Sequence, residues 1–213
     1  WHGRPAAPLE QVTIHDIGHA GVLARDKIAA MSKSVAESGA AACVLTDPSS
    51  SAWVFNIRGR DVPHTPLALC FAIIKSEGEP LLFLDKRKLP IKTEAYLNQL
   101  CALMPPAALE EELGKLATGG ASVALDPSLA ADQLRRIVEG AGGKVVEATD
   151  PARIPRAQKN KTELAGTRAA HIRDGAAVSS FLAWYDDQKR GTLTEIAAAE
   201  QLEAIRIDTG EKL

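Results

Sequence analysis

The stretch from Val123 to Val146 restricts the fold more than any other. Val123-Ala-Leu125 is a short apolar run, and Asp126-Pro127-Ser128 then turns the chain. Leu134, Ile137 and Val138 recur at helical spacing, and Gly140 to Gly143 lead back to Val145-Val146. A strand, a helix and a strand in that order require parallel pairing and a right-handed crossover. The chain must therefore build a sheet with a helix packed on its face.

The segments before it extend that sheet. From Ala24 to Ser38, Ile28, Met31 and Val35 mark one helical face, Lys and Glu fill the other, and Gly39 is a stop. Ala41 to Leu45 reads as a buried strand ended by a turn at Thr46-Asp47-Pro48. Ala52-Trp-Val-Phe-Asn-Ile57 is aromatic and β-branched, which predicts another strand. Leu67 to Ile74 and Leu81 to Leu84 predict a hairpin around Lys75 to Pro80. A helix through Tyr96, Leu97 and Leu100 follows Pro90, Pro105-Pro106 breaks it, and Leu109, Leu113 and Leu116 begin the next. The result is an α/β fold: a mixed β-sheet flanked by helices, antiparallel in the middle and parallel where helices intervene. The turn after Leu125 echoes the one after Leu45, each an Asp-Pro-Ser closing an apolar run, which reads as shared turn chemistry.

After Asp150-Pro151 the strand signals stop. Asn160 and Glu163 have capping-box spacing before a long pattern carried by Leu164, Ile172, Val178, Leu182 and Tyr185 to about Asp187. Thr192 and Glu195 repeat that spacing ahead of Ile196, Leu202 and Ile205, with Gly210 as the expected stop before the chain ends at Leu213. Arg4 to Pro8, with two prolines, reads as a linker. The expected division is a linker at 1–8, a domain at 9–153 and two helices within 154–213. Those helices have no core of their own, and their apolar faces favour a homo-oligomer.

Composition narrows the partners. A net charge of -2 from interspersed signs provides no basic stripe for nucleic acid or an anionic membrane, and no apolar run approaches the length of a spanning helix. Cys43, Cys70 and Cys101 form no C-x-x-C pair and sit in or near apolar runs, so they read as buried thiols of a reducing, cytoplasmic compartment.

The densest polar cluster is Asn56-Ile-Arg58-Gly-Arg60-Asp61-Val-Pro63-His64-Thr-Pro66, a loop between apolar segments. Arg58 or Arg60 suits a carboxylate, and His64 offers an acid or base. The competing reading is that Gly59 and the prolines shape a tight loop whose charges pair with each other. His15 and His19 stand four apart, but Gly18 and Gly21 do not favour a helix and no Glu lies between them, so no metal site is expected there. His171, beside Arg173 and Asp174, reads as a surface or part-buried histidine. No G-x-G-x-x-G, P-loop or G-x-S-x-G motif is present.

Thr46-Asp-Pro, Ala52-Trp53 and Asn56-Ile-Arg-Gly59-x-Asp61-Val-Pro63-His64-Thr-Pro66-Leu67 together resemble the middle domain of three-domain Xaa-Pro aminopeptidases, a creatinase/prolidase N-terminal-like domain. Trp1…Arg4-Pro5 resembles the exit from that family's first domain. Lys159-Asn-Lys-Thr-Glu-Leu164 and His171-Ile-Arg-Asp-Gly-Ala176 resemble the opening of its pita-bread catalytic domain. The resemblance implies a peptidase that removes the residue before proline from proline-containing peptides, using two divalent ions, manganese in most members. The ions are held by two Asp, one His and two Glu. Those ligands lie beyond the opening helices in the family, so the expectation is a fragment cut at both ends. It would have no metal ligand, bind no cofactor itself and be inactive alone, with Arg58 and His64 its candidate catalytic residues. A non-catalytic, peptidase-like protein-binding module and a prolidase or creatinase relative are the alternatives.

Overall fold

The computed structural model describes residues 2–189 and 191–212, without the side chains of Glu211 and Lys212. The Trp1 part of the family pattern and the Leu213 terminus lie outside the described residues. The chain divides into two compact units, 1–159 and 160–213.

The first unit opens with β1 (Thr13–Ile14), α1 (Ile17–Ala20), α2 (Ala24–Glu37), β2 (Ala42–Leu45) and α3 (Pro48–Val54). β3 (Ile57–Arg58), β4 (Phe71–Lys75), β5 (Leu81–Phe83), α4 (Ile91–Leu97) and β6 (Ala102–Met104) follow. It closes with α5 (Leu109–Ala117), β7 (Ser122–Leu125), α6 (Asp132–Gly140), β8 (Lys144–Glu147) and α7 (Arg153–Ala157).

Six strands form one sheet in the order β6-β5-β4-β2-β7-β8, and β1 pairs with β3 separately. β2–β4 and β4–β5 are antiparallel, while β5–β6, β2–β7 and β7–β8 are parallel. The strand alternation sorts side chains between two cores. Cys43, Leu45, Ala72, Ile74 and Leu82 face one, with Met31, Val35, Phe55 and Leu97. Ala42, Val44, Ile73, Leu81 and Phe83 face the other, with Leu113 and Val138 from α5 and α6. A sheet covered on both faces by helices is the expected mixed α/β layer.

Four local expectations are corrected. Ala52 to Ile57 is not a strand: α3 runs through Val54 and only Ile57 pairs, in β3. The Asp47 carboxylate accepts from the Ser49 amide at 2.8 Å and Pro48 fills the first helical position, so the expected turn is a helix start. β6 is a strand that the sequence does not announce, since three half-buried residues are too few for a period. Gly210 does not stop the last helix, and Thr194 rather than Thr192 caps it: Thr194 Oγ1 accepts from the Ala197 amide at 3.1 Å. Thr192 instead donates to the Lys189 carbonyl.

The second unit is α8 (Lys161–Asp186) and α9 (Glu195–Lys212). α8 opens on the expected capping box, with Asn160 Oδ1 accepting from the Glu163 amide at 3.0 Å and Glu163 Oε2 accepting from the Asn160 amide at 2.9 Å. Arg206 of α9 donates to Asp174 of α8 at 2.7 Å. Ala177 is the buried residue of α8, whereas Ile172 and Ile196 are 71% and 72% exposed. Residues 154–159 belong to the sheet unit, because Arg156 of α7 reaches Asp47 at 3.0 Å.

Candidate functional site

The loop from Asn56 to Pro66 is held by partners distant in sequence. Asn56 has φ 50, a left-handed conformation that asparagine tolerates better than most residues. Its Oδ1 accepts from Lys27 Nζ at 2.8 Å, its Nδ2 donates to the Val22 carbonyl at 2.9 Å, and its own carbonyl accepts from the His15 amide at 2.7 Å. Lys27 also donates to the Trp53 carbonyl at 3.0 Å, and its ammonium stands 4.2 Å from the Trp53 ring centroid. A buried lysine thus ties α2 to the loop's entry. The sequence pattern assigns the lysines of α2 to its polar face, but Lys27 lies on the buried four-residue stripe of Met31 and Val35.

Asn56→Ala is therefore expected to cost about 2–3 kcal/mol, through the lost acceptor and the φ strain. Asn56→Gly relieves the strain alone, so urea unfolding of the pair separates the two causes. Equal, near-zero losses would contradict this reading.

The next residues turn inward and outward by turns. Arg58 pairs with Thr13 across β1–β3, and its Nη1 donates to the Ile57 and Ala52 carbonyls at 2.8 and 3.3 Å. Asp61 Oδ2 accepts from Lys88 Nζ at 2.7 Å and from the Leu69 amide at 2.7 Å, with Asp61 and Lys88 side chains 1% and 5% exposed. The expectation that the loop's charges pair with each other is thus corrected: the carboxylate's partner is Lys88, 27 residues away in sequence. Gly59 lies against Ala68, the Gly59 amide donates to Pro66 and the Asp61 amide to Leu67. A bridge between Val62 and Thr65 closes the tip, where His64 has φ 59.

Arg60 and His64 stay exposed. With Arg58, Thr13, Gln11 and Glu10 they border an open hollow of about 910 Å³. Two guanidiniums and an imidazole around one hollow can hold a carboxylate, so the structure brings Arg58 and His64 to the same cavity.

The other candidates are dispersed. The His15 and His19 rings stack at 5.8 Å between centroids, and His171 Nδ1 lies 2.8 Å from the Thr167 carbonyl on an exposed face. Among the described residues no group of three or more His, Cys, Asp or Glu is arranged to hold a metal ion. Burial pushes the Cys43, Cys70 and Cys101 thiols up to about 12, which keeps them protonated and unreactive. No described helix is long and apolar enough to cross a membrane.

Comparison with known proteins agrees with this architecture. A family pattern described as the Creatinase/Prolidase N-terminal domain matches residues 3–163. A protein of Ajellomyces capsulatus named as a probable Xaa-Pro aminopeptidase P is 35% identical over 95% of this chain and 35% of its own length. The crystal structure of X-prolyl aminopeptidase from Caenorhabditis elegans, described as a cytosolic enzyme with a di-nuclear active site, superposes with a TM-score of 0.85 at 24% identity. It covers 97% of this chain and 34% of that one. Xaa-Pro dipeptidase from Bacillus anthracis shares the fold at a TM-score of 0.62 and 16% identity, over 87% of this chain and 49% of its own. The chain spans about a third of the length of its aminopeptidase relatives. On the match over residues 3–163, the chain belongs to the creatinase/prolidase N-terminal domain family.

Proposed function

We propose that this chain serves as the sheet domain, together with the opening helices of the catalytic domain, of an Xaa-Pro aminopeptidase, an enzyme that removes the residue preceding proline from a peptide's N-terminus. The observation that carries the reading is the 35% identity to an aminopeptidase relative over 95% of the chain. In this reading the whole enzyme works in the cytoplasm as a homo-oligomer, with two divalent ions, manganese, to generate a hydroxide nucleophile and polarise the scissile carbonyl. The described residues do not fit such a centre, since no group of candidate ligands is assembled and Asp61 is taken by Lys88. This chain's contribution is then recognition: Arg58 and Arg60 offer positive charge, and His64 a hydrogen-bond donor, to a peptide carboxylate.

The test is an exchange of this chain for the matching segment of the Ajellomyces capsulatus relative, assayed on an Xaa-Pro peptide with manganese. The hybrid is expected to cleave it, and Arg60→Ala within the hybrid to raise KM roughly tenfold with kcat unchanged, as for loss of a uniform binding contact. The isolated chain is expected to give no turnover. Turnover by the isolated chain above a metal-only blank, or a folded hybrid with no activity, contradicts the proposal.

A further inference from the structure

The Asp-Pro-Ser sequence occurs twice, as the start of α3 at Asp47 and as a turn at Asp126. Asp47 follows β2 and Asp126 follows β7, and these strands are parallel neighbours, so both aspartates stand at the same end of the sheet. Each uses one carboxylate oxygen locally: Asp47 Oδ1 accepts from the Ser49 amide at 2.8 Å, and Asp126 Oδ1 from the Ser128 amide at 2.9 Å and hydroxyl at 2.6 Å. Each sends its second oxygen to one segment, residues 150–157. Asp126 Oδ2 accepts from the Asp150 amide at 2.8 Å, and Asp47 Oδ2 lies 3.0 Å from Arg156 Nη2. That segment is the end of the first compact unit and forms the joint that leads to the second, which begins at Asn160.

Little else fastens the joint. Between 150 and 159 only Asp150 and Ala152 are buried, α7 buries no side chain, and Ile154 is 60% exposed. Asp150 Oδ2 and Arg156 Nη1 are buried without a hydrogen-bond partner, so its polar network is incompletely satisfied. A segment with few apolar contacts, held by charge-assisted bonds, opens at a lower free energy than the sheet beneath it.

We infer that Asp47 and Asp126 form a two-point clamp that holds the 150–157 joint on the sheet, and that the joint is released when the clamp is lost while the sheet stays folded. The clamp is closed at neutral pH. Burial tends to raise both carboxyls, but the Ser49 bonds and the Arg156 charge bring Asp47 below its ordinary value, and the Ser128 bonds, the Asp150 amide and the Arg153 charge do the same for Asp126. Asp150 itself faces Cys43 of β2, whose thiol stays neutral. Both carboxyls titrate lower when folded, so the clamp's contribution is complete above the ordinary value of 3.8 and fades as pH falls through the lowered ones.

Hydrogen exchange on the 213-residue chain at neutral pH tests the clamp, read at the amides of Asp150, Ala152, Arg153, Arg156 and Gln158. In Asp126→Ala these amides are expected to exchange at least about tenfold faster, with β2, β4 and β7 unchanged. Arg156→Gln, at the other point of attachment, is expected to speed the Arg156 and Gln158 amides in the same way and serves should Asp126→Ala fail to fold. Exchange at wild-type rates in a folded variant would overturn the clamp, and so would equal acceleration in the joint and the central strands, which would make the joint part of one cooperative unit.

Discussion

Asp61→Ala is expected to lower stability by about 3–5 kcal/mol, the range seen when one partner of a buried ion pair is removed. The carboxylate is almost wholly enclosed, and one of its oxygens serves both Lys88 and the Leu69 amide. Its removal strands an ammonium that water does not reach and unties β4's approach from the loop. The Lys88 carbonyl also accepts from the Val12 amide, so movement of Lys88 disturbs the strand entering the site. The attraction need not be strongly stabilising in itself, because desolvation of both charges offsets much of it. A paired Asp61→Leu, Lys88→Met variant is therefore expected to recover a large part of the loss. Urea unfolding decides: the midpoint should fall in Asp61→Ala with the slope unchanged. A loss under about 1 kcal/mol, typical of an exposed pair, would show that the pair is solvated.

The second large effect is steric. A Cβ at Gly59 would lie 2.8 Å from the N, Cα and Cβ of Ala68, closer than packed atoms approach. Retreat is limited on both sides, since the Gly59 amide is bonded to Pro66 and the Asp61 amide to Leu67. Gly59→Ala is expected to cost about 3 kcal/mol as overpacking against backbone, and Ala68→Gly to rescue it only in part, because the backbone N and Cα remain. Gly140→Ala is the control: nothing lies within 4 Å of the added methyl and its φ is ordinary, so the replacement is expected to be neutral or mildly stabilising. Thermal unfolding of the three variants reports the contrast, and a neutral Gly59→Ala would contradict the close approach.

Much of the fold was legible because its periods are long. The 123–146 unit forced parallel strands, and the apolar runs of β4 and β5 on either side of the turn at Lys75 to Pro80 announced a hairpin. Asp47-Pro48 was ambiguous, since the same two residues start a turn or cap a helix, and the choice was made by burial of Ala52 and Val54 on α3. The loop's composition marked it as a site, yet its chemistry depended on Lys27 and Lys88, which lie 29 and 27 residues from their partners. A charged residue that the fold buries looks, in sequence, like any solvated lysine. The echo of Asp47 and Asp126 was visible as a pattern, but only the sheet order makes its two members neighbours.

In the proposed function the described residues form a recognition and scaffold unit, and no group of three or more candidate metal ligands is arranged among them. Titration of manganese(II) into the 213-residue chain, followed by the paramagnetic resonance of the free ion, tests it most directly. The free-ion signal is expected to rise in proportion to added metal, with no saturable uptake at the protein's own concentration. Loss of that signal up to two equivalents of manganese per chain would contradict the claim and place a dinuclear site within these residues.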